Sequence, residues 1–411
     1  MSRFNALLLF LILVAIPPAF SADRGLATRN IVVAQVAAPD DIDPSTGLSR
    51  STVVSPLREY SPPPHDPRPA ESNAVPAGGR PHIALILPTL SPALGGVAEA
   101  VRLGFNAAVE GAGKSGPPVM FMPIENEGPA LVDACLAAQR AGAVLVVAAI
   151  TRDGASDLAR SGCPRQPVLA LNEPQGFSSR GSELGPGDLP RNLYHVSLSL
   201  EQEARQVALQ AVADGWQSAI VITSQAPLAR RVQEAFEREW VRAAGELRRA
   251  SYSGNVDDAP AIRDRIANMQ GDMVFLALDQ ADARAVRPYV SGTLPVYATS
   301  MSVDPRSEPT VNVDLQGVRY LEMPWFVQPD HPAVMVYPVP KGPLSVEQER
   351  LYALGIDAYR LALLILKGES PPAVLDGVTG RIVLGPANAF MRSLTPAEVD
   401  GGRVVAIKQA P

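Results

Sequence analysis

The stretch HIALILPTLSPALGGVAEAVRLGFNAAVEG (82–111) decides the fold class. It opens with a continuous apolar run, which predicts a buried strand, and continues in a helical pattern with Val97, Val101 and Phe105 on one face. A second apolar run, PVMFMPIE (118–125), predicts the next strand. Apolar strands that alternate with amphipathic helices are typical of a parallel sheet with helices on both faces.

The same alternation then runs through two successive sets of elements. The first set continues with predicted helices at 128–142 and 151–162 and predicted strands at 143–150 and 167–174. After NLYHVSLSLE (192–201) the pattern restarts, with apolar strands predicted at 218–224, 272–279 and 294–300. The sequence therefore predicts two α/β lobes of matching construction, with a ligand crevice outside the carboxyl ends of their strands.

The last quarter of the chain departs from this repeat. VDLQGVRYLEMPW (313–325) predicts a strand, and SVEQERLYALGIDAYRLALLILKG (345–368) predicts a long helix with Leu354 and Leu361 in its buried stripe. The end (375–407) resembles a hairpin-type pair of strands around a Gly-Pro turn. Such a tail indicates that the chain crosses again between the lobes before it finishes.

The N-terminal region predicts export. Residues 1–22 combine a basic residue, a short apolar run and small residues at a cleavage spacing, which is typical of a secretory signal peptide; an uncleaved anchor helix is the alternative. No cysteine follows the run, so we expect a periplasmic protein without a lipid anchor. The proline-rich segment 23–80 predicts a disordered linker.

Composition and cysteine content narrow the function classes. The chain has a net charge of −6 and no dense run of Lys and Arg, which argues against nucleic acid as a partner. The two cysteines, Cys135 and Cys163, permit a disulfide in an exported protein, although two buried thiols are an equally acceptable interpretation. No pattern predicts a metal site or a cofactor.

Catalytic motifs are not found in the sequence. There is no G-x-S-x-G elbow and no histidine pair at metal-ligand spacing, and the isolated His195 and His331 are more typical of structural residues. Glu125 and Glu127 follow a strand, where a solvated loop is the simpler interpretation. GAGKSG (111–116) follows a helix and precedes two prolines, so it predicts a helix end and not a phosphate loop. We therefore expect a protein that is not an enzyme.

Polar residues at strand ends are the remaining candidates for a binding site. Thr89, Ser91, Thr151 and Asn172 follow predicted strands of the first lobe and would line one wall of an interlobe cleft. Thr151 begins a helix, where it would cap the first turn or help to hold a carboxylate. Trp325 follows Pro324 at the end of a strand, which is consistent with a packed corner, a ligand-stacking surface or a partner contact.

Five segments together resemble a known family. The order of elements resembles the type I periplasmic binding-protein fold, in which two Rossmann-like lobes are joined by three crossovers. More narrowly, the chain resembles the binding-protein-like domain of the LppC family in AEAVRLGFNAA (98–108), PVLALNEP (167–174), GVRYLEMPW (317–325), RLYALGIDAYRLA (350–362) and DGVTGRIVL (376–384). The resemblance implies one lobe at 81–197 plus 327–373 and the other at 198–326 plus 374–411.

The resemblance also implies a function. Members of the family are periplasmic activators of class A penicillin-binding proteins, the synthases of peptidoglycan, and well-known members add an N-terminal helical-repeat domain and a lipidation cysteine that this sequence lacks. A non-catalytic activator of such a synthase is therefore the expected function. The alternative is a solute receptor for an amino acid or similar small molecule, which would bind its ligand in the interlobe cleft.

Overall fold

The computed structural model describes residues 80–113, 116–175, 189–243, 245–340, 342–368 and 373–407. The predicted signal peptide and nearly all of the predicted linker lie outside these residues. The strands are β1 His82–Leu87, β2 Val119–Pro123, β3 Ala143–Ala148, β4 Val168–Ala170, β5 Leu193–Val196, β6 Ser218–Thr223, β7 Glu246–Ser251, β8 Met273–Ala277, β9 Val296–Ala298, β10 Val318–Glu322, β11 Val374–Gly377, β12 Gly380–Leu384, β13 Ala389–Ser393, β14 Thr395–Asp400 and β15 Arg403–Ala406. The helices are α1 Gly95–Ala112, α2 Pro129–Arg140, α3 Arg152–Arg160, α4 Leu200–Ala213, α5 Pro227–Arg242, α6 Ala261–Ala267, α7 Gln280–Val286, α8 Pro309–Asn312, α9 Pro324–Val327 and α10 Val346–Lys367.

The first lobe is built on an eight-stranded sheet in the order β2-β1-β3-β4-β5-β13-β12-β11. Strands β1 to β5 and β13 run parallel, and β11 and β12 are antiparallel additions at one edge. Every residue of β1 is buried. Helices therefore cover the sheet on both faces, as the continuous apolar run at 82–88 predicts.

The second lobe repeats this winding. Its sheet has the order β7-β6-β8-β9-β10-β14-β15, in which β6 to β10 are parallel and the last two strands are antiparallel. The chain passes between the sheets after β5, after β10 and between β13 and β14. This is the predicted α/β class, the type I periplasmic binding-protein-like fold with two Rossmann-like lobes and three crossovers.

The lobe boundary predicted in the last quarter is wrong for residues 374–393. These residues form β11, β12 and β13 of the first sheet, and only β14 and β15 belong to the second. The apolar side chains of Val378, Ile382 and Phe390 are buried in the same core as α10, which packs on the first lobe. The last crossover therefore falls at Leu394, after this apolar surface is covered.

Helices α1 and α10 are in unusually close contact. A Cβ atom at Gly104 would lie 1.8 Å from the carbonyl oxygen of Tyr352, and one at Gly355 would lie 2.1 Å from that of Val101. The rings of Phe105 and Tyr359 meet edge to face beside this contact, with centroids 5.2 Å apart. Because Gly104 and Gly355 have no side chains, α10 packs directly on α1. It therefore belongs to the first lobe, although it follows most of the second lobe in the sequence.

Two smaller sequence questions are answered in the first lobe. Cys135 on α2 and Cys163, which are 28 positions apart in the sequence, are joined in a disulfide. The GAGKSG segment does end a helix, because α1 stops at Ala112 and Gly113 follows with a φ of 59°. Lys114 and Ser115 lie outside the described residues.

Candidate functional site between the lobes

The N-terminus of α3 is occupied by a carboxylate of the chain itself. Glu127 accepts hydrogen bonds from the backbone N–H of Ile150 (2.7 Å) and of Thr151 (3.0 Å), and from the hydroxyl of Thr151. The Thr151 hydroxyl oxygen also accepts from the N–H of Gly154 (3.0 Å) and so caps the helix. Burial raises the pKa of Glu127, and the hydrogen bonds from Thr151 and Ile150 oppose that rise. A carboxylate is therefore held here, but Glu127 supplies it.

The other predicted cleft residues mainly bind neighbouring groups of the chain. Ser91 is buried and accepts a hydrogen bond from the N–H of Leu94 (3.3 Å), while Asn172 donates to the carbonyl of Ile150 (2.9 Å). Thr89 is half-buried at the end of β1. These contacts stabilise the turns that follow the strands. Few polar groups of the predicted cleft wall therefore remain available to a ligand.

A smaller and a larger cavity, both lined by described residues, lie between the lobes. The smaller, of about 290 Å³, is lined by Asn172 together with Arg152, Glu201 and Arg231. The larger, of about 630 Å³, is here called the hinge cavity because residues of the crossovers contribute to it. Its lining comprises Leu198, Leu200, Glu203, Leu228, Asp279, Gln280, Ala281, Ser300, Met301, Glu322, Met323, Glu347, Arg350, Leu351, Arg392 and Leu394. Thr89, Ser91, Thr151 and Trp325 line neither cavity.

Buried charges meet at the hinge cavity. Glu203 on α4 is bound by the N–H of Ser300 and by its hydroxyl (2.9 Å), and burial raises the pKa of Glu203 to about 7. Arg350 on α10 donates to Glu322 on β10 at 2.8 Å, and the Glu322 side chain is 1% exposed. Charged groups from the two lobes are therefore packed into one cluster.

Among the described residues, three ion pairs link the lobes directly. Arg152 on α3 contacts Glu201 on α4 at 2.8 Å, and Arg350 and Glu322 form the second pair. In the third, Arg306 of the second lobe binds both carboxylate oxygens of Glu349 on α10, with its Nε atom 2.9 Å from one of them. Side chains of the protein itself therefore link the two walls of the cleft.

Trp325 forms a packed corner at the second crossover. Its side chain is 4% exposed, its indole N–H donates to Glu349 (2.8 Å), and its backbone N–H donates to the carbonyl of Val378 (3.0 Å). The ring also packs on Tyr352, with centroids 5.5 Å apart. Of the three interpretations open from the sequence, the structure supports the packed corner.

His195 and His331 occupy structural positions. His195 is buried in β5, and burial lowers its pKa. His331 accepts a hydrogen bond from the N–H of Ala333 (3.2 Å) and lies 3.5 Å from Asp376. Within the described part of the chain, no group of His, Cys, Asp and Glu has a metal-binding arrangement, and no helix there is long and apolar enough to cross a membrane.

Sequence reasoning missed the charged residues that define the hinge cavity. The available signal was a charge at a position that the pattern predicts to be buried. Glu322 lies in the apolar strand VRYLE, and Glu203 lies on the buried face of α4 beside Ala204 and Val207. A buried charge in a predicted core indicates an unseen partner, but the partner itself comes from another part of the chain.

The fold and its cleft define the class of protein: a two-lobed α/β protein with the type I periplasmic binding-protein-like fold. The sequence profile described as "LppC putative lipoprotein" matches residues 79–402, and the chain belongs to the LppC family.

Curated relatives carry the name penicillin-binding protein activator LpoA. That of Klebsiella pneumoniae is 25% identical over 305 residues, which are 65% of this chain and 42% of the relative. That of Escherichia coli is 24% identical over 315 residues, which are 66% of this chain and 44% of the relative. The chain therefore spans less than half the length of these relatives.

Solved structures agree on the fold. A "putative branched-chain amino acid ABC transporter" from Chromobacterium violaceum is 37% identical, with a TM-score of 0.65, and the match covers 78% of this chain and all of that one. The C-domain of LpoA from Haemophilus influenzae, described as a regulator of PBP1A, is 21% identical, with a TM-score of 0.62, and the match covers 80% of this chain and all of that one.

Proposed function

We propose that this protein is a non-catalytic, periplasmic regulator that binds a class A penicillin-binding protein and activates it. Family membership and the names of the relatives support the kind of partner. The predicted signal peptide supports export to the periplasm. The sequence carries none of the catalytic motifs described above, and the described residues contain no cluster of His, Cys, Asp and Glu arranged to hold a metal ion.

The observation that carries the proposal is the position of Glu127. In a receptor for an amino acid, free N–H groups and a hydroxyl at a helix N-terminus would be ready to bind the ligand carboxylate. Here the N–H groups of Ile150 and Thr151 are already bound to Glu127. Ion pairs between the lobes, such as that of Arg152 with Glu201, link the two walls of the cleft directly. Such a protein is better suited to present a fixed surface to a partner.

Activation by binding sets one thermodynamic requirement. The regulator must bind the active conformation of the synthase more tightly than the inactive one, because equal affinity for both states leaves their populations unchanged. No chemistry by the regulator is needed.

The test is a binding and activity experiment with purified full-length proteins. The class A penicillin-binding protein of the same organism is captured with the regulator, and its rate of glycan polymerisation is measured with and without it. A monofunctional glycosyltransferase of the same organism is the control enzyme. We expect capture and acceleration of the class A enzyme alone; absence of both would refute the proposal.

A thermal-shift screen distinguishes the proposed activator from the alternative function, a solute receptor. A ligand present at a hundredfold its Kd stabilises the folded state by about 2.7 kcal/mol, which is readily measured. We expect the natural amino acids to leave the melting temperature unchanged. A clear rise with one of them would favour the receptor.

A further inference from the structure

A pocket of the second lobe lies at the edge of the sheet opposite the cleft. It has a volume of about 330 Å³, and its lining includes Trp216, Arg287, Gly292, Leu294, Arg319 and Glu398. Trp216 and Leu294 lie two residues before β6 and β9, and Arg319 is the second residue of β10. These strands are parallel, so the pocket lies at their amino ends, whereas the hinge cavity lies at their carboxyl ends. It is here called the basal pocket.

Arg287 brings a positive charge without an ion-pair partner to the basal pocket. It follows α7 and is half-buried; its Nη1 atom donates to the carbonyl oxygen of Val290 (3.2 Å), and its Nε atom is buried without a hydrogen-bond partner. Burial alone lowers the pKa of Arg287, and within the described part of the chain no carboxylate lies within ion-pair distance of it. An anion beside this guanidinium would therefore be stabilised.

The other charges of the pocket leave room for one negative charge. Arg319 pairs with Glu398 at 3.3 Å, so the charged groups of the lining are two guanidinium groups and one carboxylate. Two acids of neighbouring turns have partners of their own: Asp272 accepts from two backbone N–H groups at the start of β6, and Asp214 accepts from the hydroxyl of Tyr297. Because Glu398 would repel a second negative charge, the pocket is suited to a monoanion.

The remaining wall of the basal pocket is apolar and fixed. Trp216 is half-buried, and its indole N–H donates to the hydroxyl of Tyr297 (3.0 Å), which holds the ring in place. Leu294 adds aliphatic surface, while Gly292 and Thr293 form an exposed rim. The volume is near the lower end of the range of roughly 300–1,000 Å³ that is typical of small-molecule sites. Such a small pocket at an exposed rim is better suited to one side chain of another polypeptide than to an enclosed free ligand.

We propose that the basal pocket binds an acidic side chain of a partner protein, with the carboxylate beside Arg287 and the methylene groups against Trp216. The site is separate from the cleft between the lobes. The proposal does not depend on the function proposed above, because binding at the pocket is measured on the isolated chain.

The three tryptophans of the chain provide a local measurement of binding. Trp216 lines the pocket, whereas Trp240 and Trp325 are 0% and 4% exposed and do not line it. The full chain is labelled with 5-fluorotryptophan, and its fluorine NMR signals are followed during titration; Trp216→Phe identifies the signal of Trp216. The probes are N-acetyl-glutamate-α-methylamide and its glutamine and lysine analogues, at constant pH and ionic strength.

We expect the glutamate probe to shift the Trp216 signal to saturation and to leave the other two signals in place. Its Kd should be at least about fivefold lower than that of the glutamine probe, because a charge-assisted hydrogen bond is stronger than a neutral one. Equal binding of the lysine probe, or no shift with glutamate, would overturn the proposal. Acetate is the free carboxylate for comparison: if it binds as tightly as the glutamate probe, the pocket does not recognise a side chain of a polypeptide.

Substitutions at the rim locate the site without removing a buried group. Gly292 does not have a positive φ, and a Cβ atom there would meet no atom within 4 Å, so side chains are accommodated. Gly292→Glu places a carboxylate of the chain itself at the pocket, and Gly292→Gln is the matched neutral control. Affinity for the glutamate probe should fall at least about fivefold in Gly292→Glu relative to Gly292→Gln. Equal affinities would overturn the assignment.

Two further variants test the charges directly. Arg287→Gln should abolish the preference for the glutamate probe over the glutamine probe. Glu398→Gln releases Arg319 and removes a repelling charge, so it should strengthen binding of the glutamate probe. A gain of affinity does not result from partial unfolding; unchanged or weaker binding in Glu398→Gln would contradict the proposed position of the carboxylate.

Discussion

The carboxylate of Glu127 is bound by both the backbone N–H and the hydroxyl of Thr151, at the helix end where a receptor would hold the carboxylate of its ligand. We expect Glu127→Ala to destabilise the protein by about 1–3 kcal/mol, because the partly buried donors of Ile150 and Thr151 lose their acceptor. Sodium acetate should then restore part of the stability of the variant, while equimolar sodium chloride should not.

Urea denaturation of both proteins, with and without acetate, provides the measurement. If acetate stabilises the wild type and Glu127→Ala equally, the donors of Ile150 and Thr151 do not form an anion-binding site.

Trp325 is expected to act through stability alone. Trp325→Ala leaves a cavity in the core of the first lobe and removes the hydrogen bond to Glu349, so the free energy of unfolding should fall by about 3–5 kcal/mol. Trp325→Phe keeps most of the packing and should cost less. Denaturation curves give these values, and stimulation of the synthase per folded molecule should match the wild type. A selective loss of stimulation in a well-folded Trp325→Phe variant would instead indicate a partner contact.

The contact between α1 and α10 should tolerate no side chain at Gly104. Gly104→Ala would place a methyl group 1.8 Å from the carbonyl oxygen of Tyr352, so we expect a loss of at least about 1–3 kcal/mol. Gly111→Ala on the same helix is the matched control, because its methyl group would lie 3.4 Å from the Tyr337 ring. That control should be neutral or up to about 1 kcal/mol more stable, since alanine favours a helix. Similar melting temperatures for the two variants would contradict the close packing.

Glu203 should make stability depend on pH. Its pKa is raised by burial from 4.5 in the unfolded chain to about 7 in the folded protein, with Glu322 and Arg350 as its charged neighbours. The folded state therefore binds the proton more tightly. This contribution to stability is fully present below pH 4.5 and is lost as the pH rises through about 7.

Glu203→Gln keeps the shape of the side chain and removes its titration. Relative to the wild type, the variant should gain about 3 kcal/mol between about pH 4.5 and pH 8, which corresponds to the shift in pKa. Chemical denaturation across this range is the measurement. A difference between the two proteins that stays constant with pH would refute the assignment.

Much of the fold could be predicted from local patterns. The apolar run of β1 and the helical stripe of α1 each indicate their own structure, because a strand buried on both faces and a half-buried helix have different periods. The cap of α3 by Thr151 was also predictable, since it depends on residues within one turn. The placement of 374–393 was not, because strands of either lobe present the same alternation of apolar residues.

The candidate site was less accessible to prediction. The sequence correctly placed Thr151 at a helix start. It did not predict that Glu127 binds Thr151, because the residues around Glu127 were equally consistent with a solvated loop. Glu203 and Ser300 are 97 residues apart, and no local pattern links them. Long-range pairs of this kind depend on which surfaces meet when the lobes assemble.

The sequence by itself determined the two α/β lobes, because hydrophobic periodicity acts over a few residues and decides which side chains must leave water. Only the tertiary structure decided that the Glu127 carboxylate binds at the N-terminus of α3 and that Arg392 lies buried beside the hinge cavity. The physical reason is that the energy of a buried charge depends on the nearest opposite charge, and residues distant in sequence become neighbours only in the folded chain.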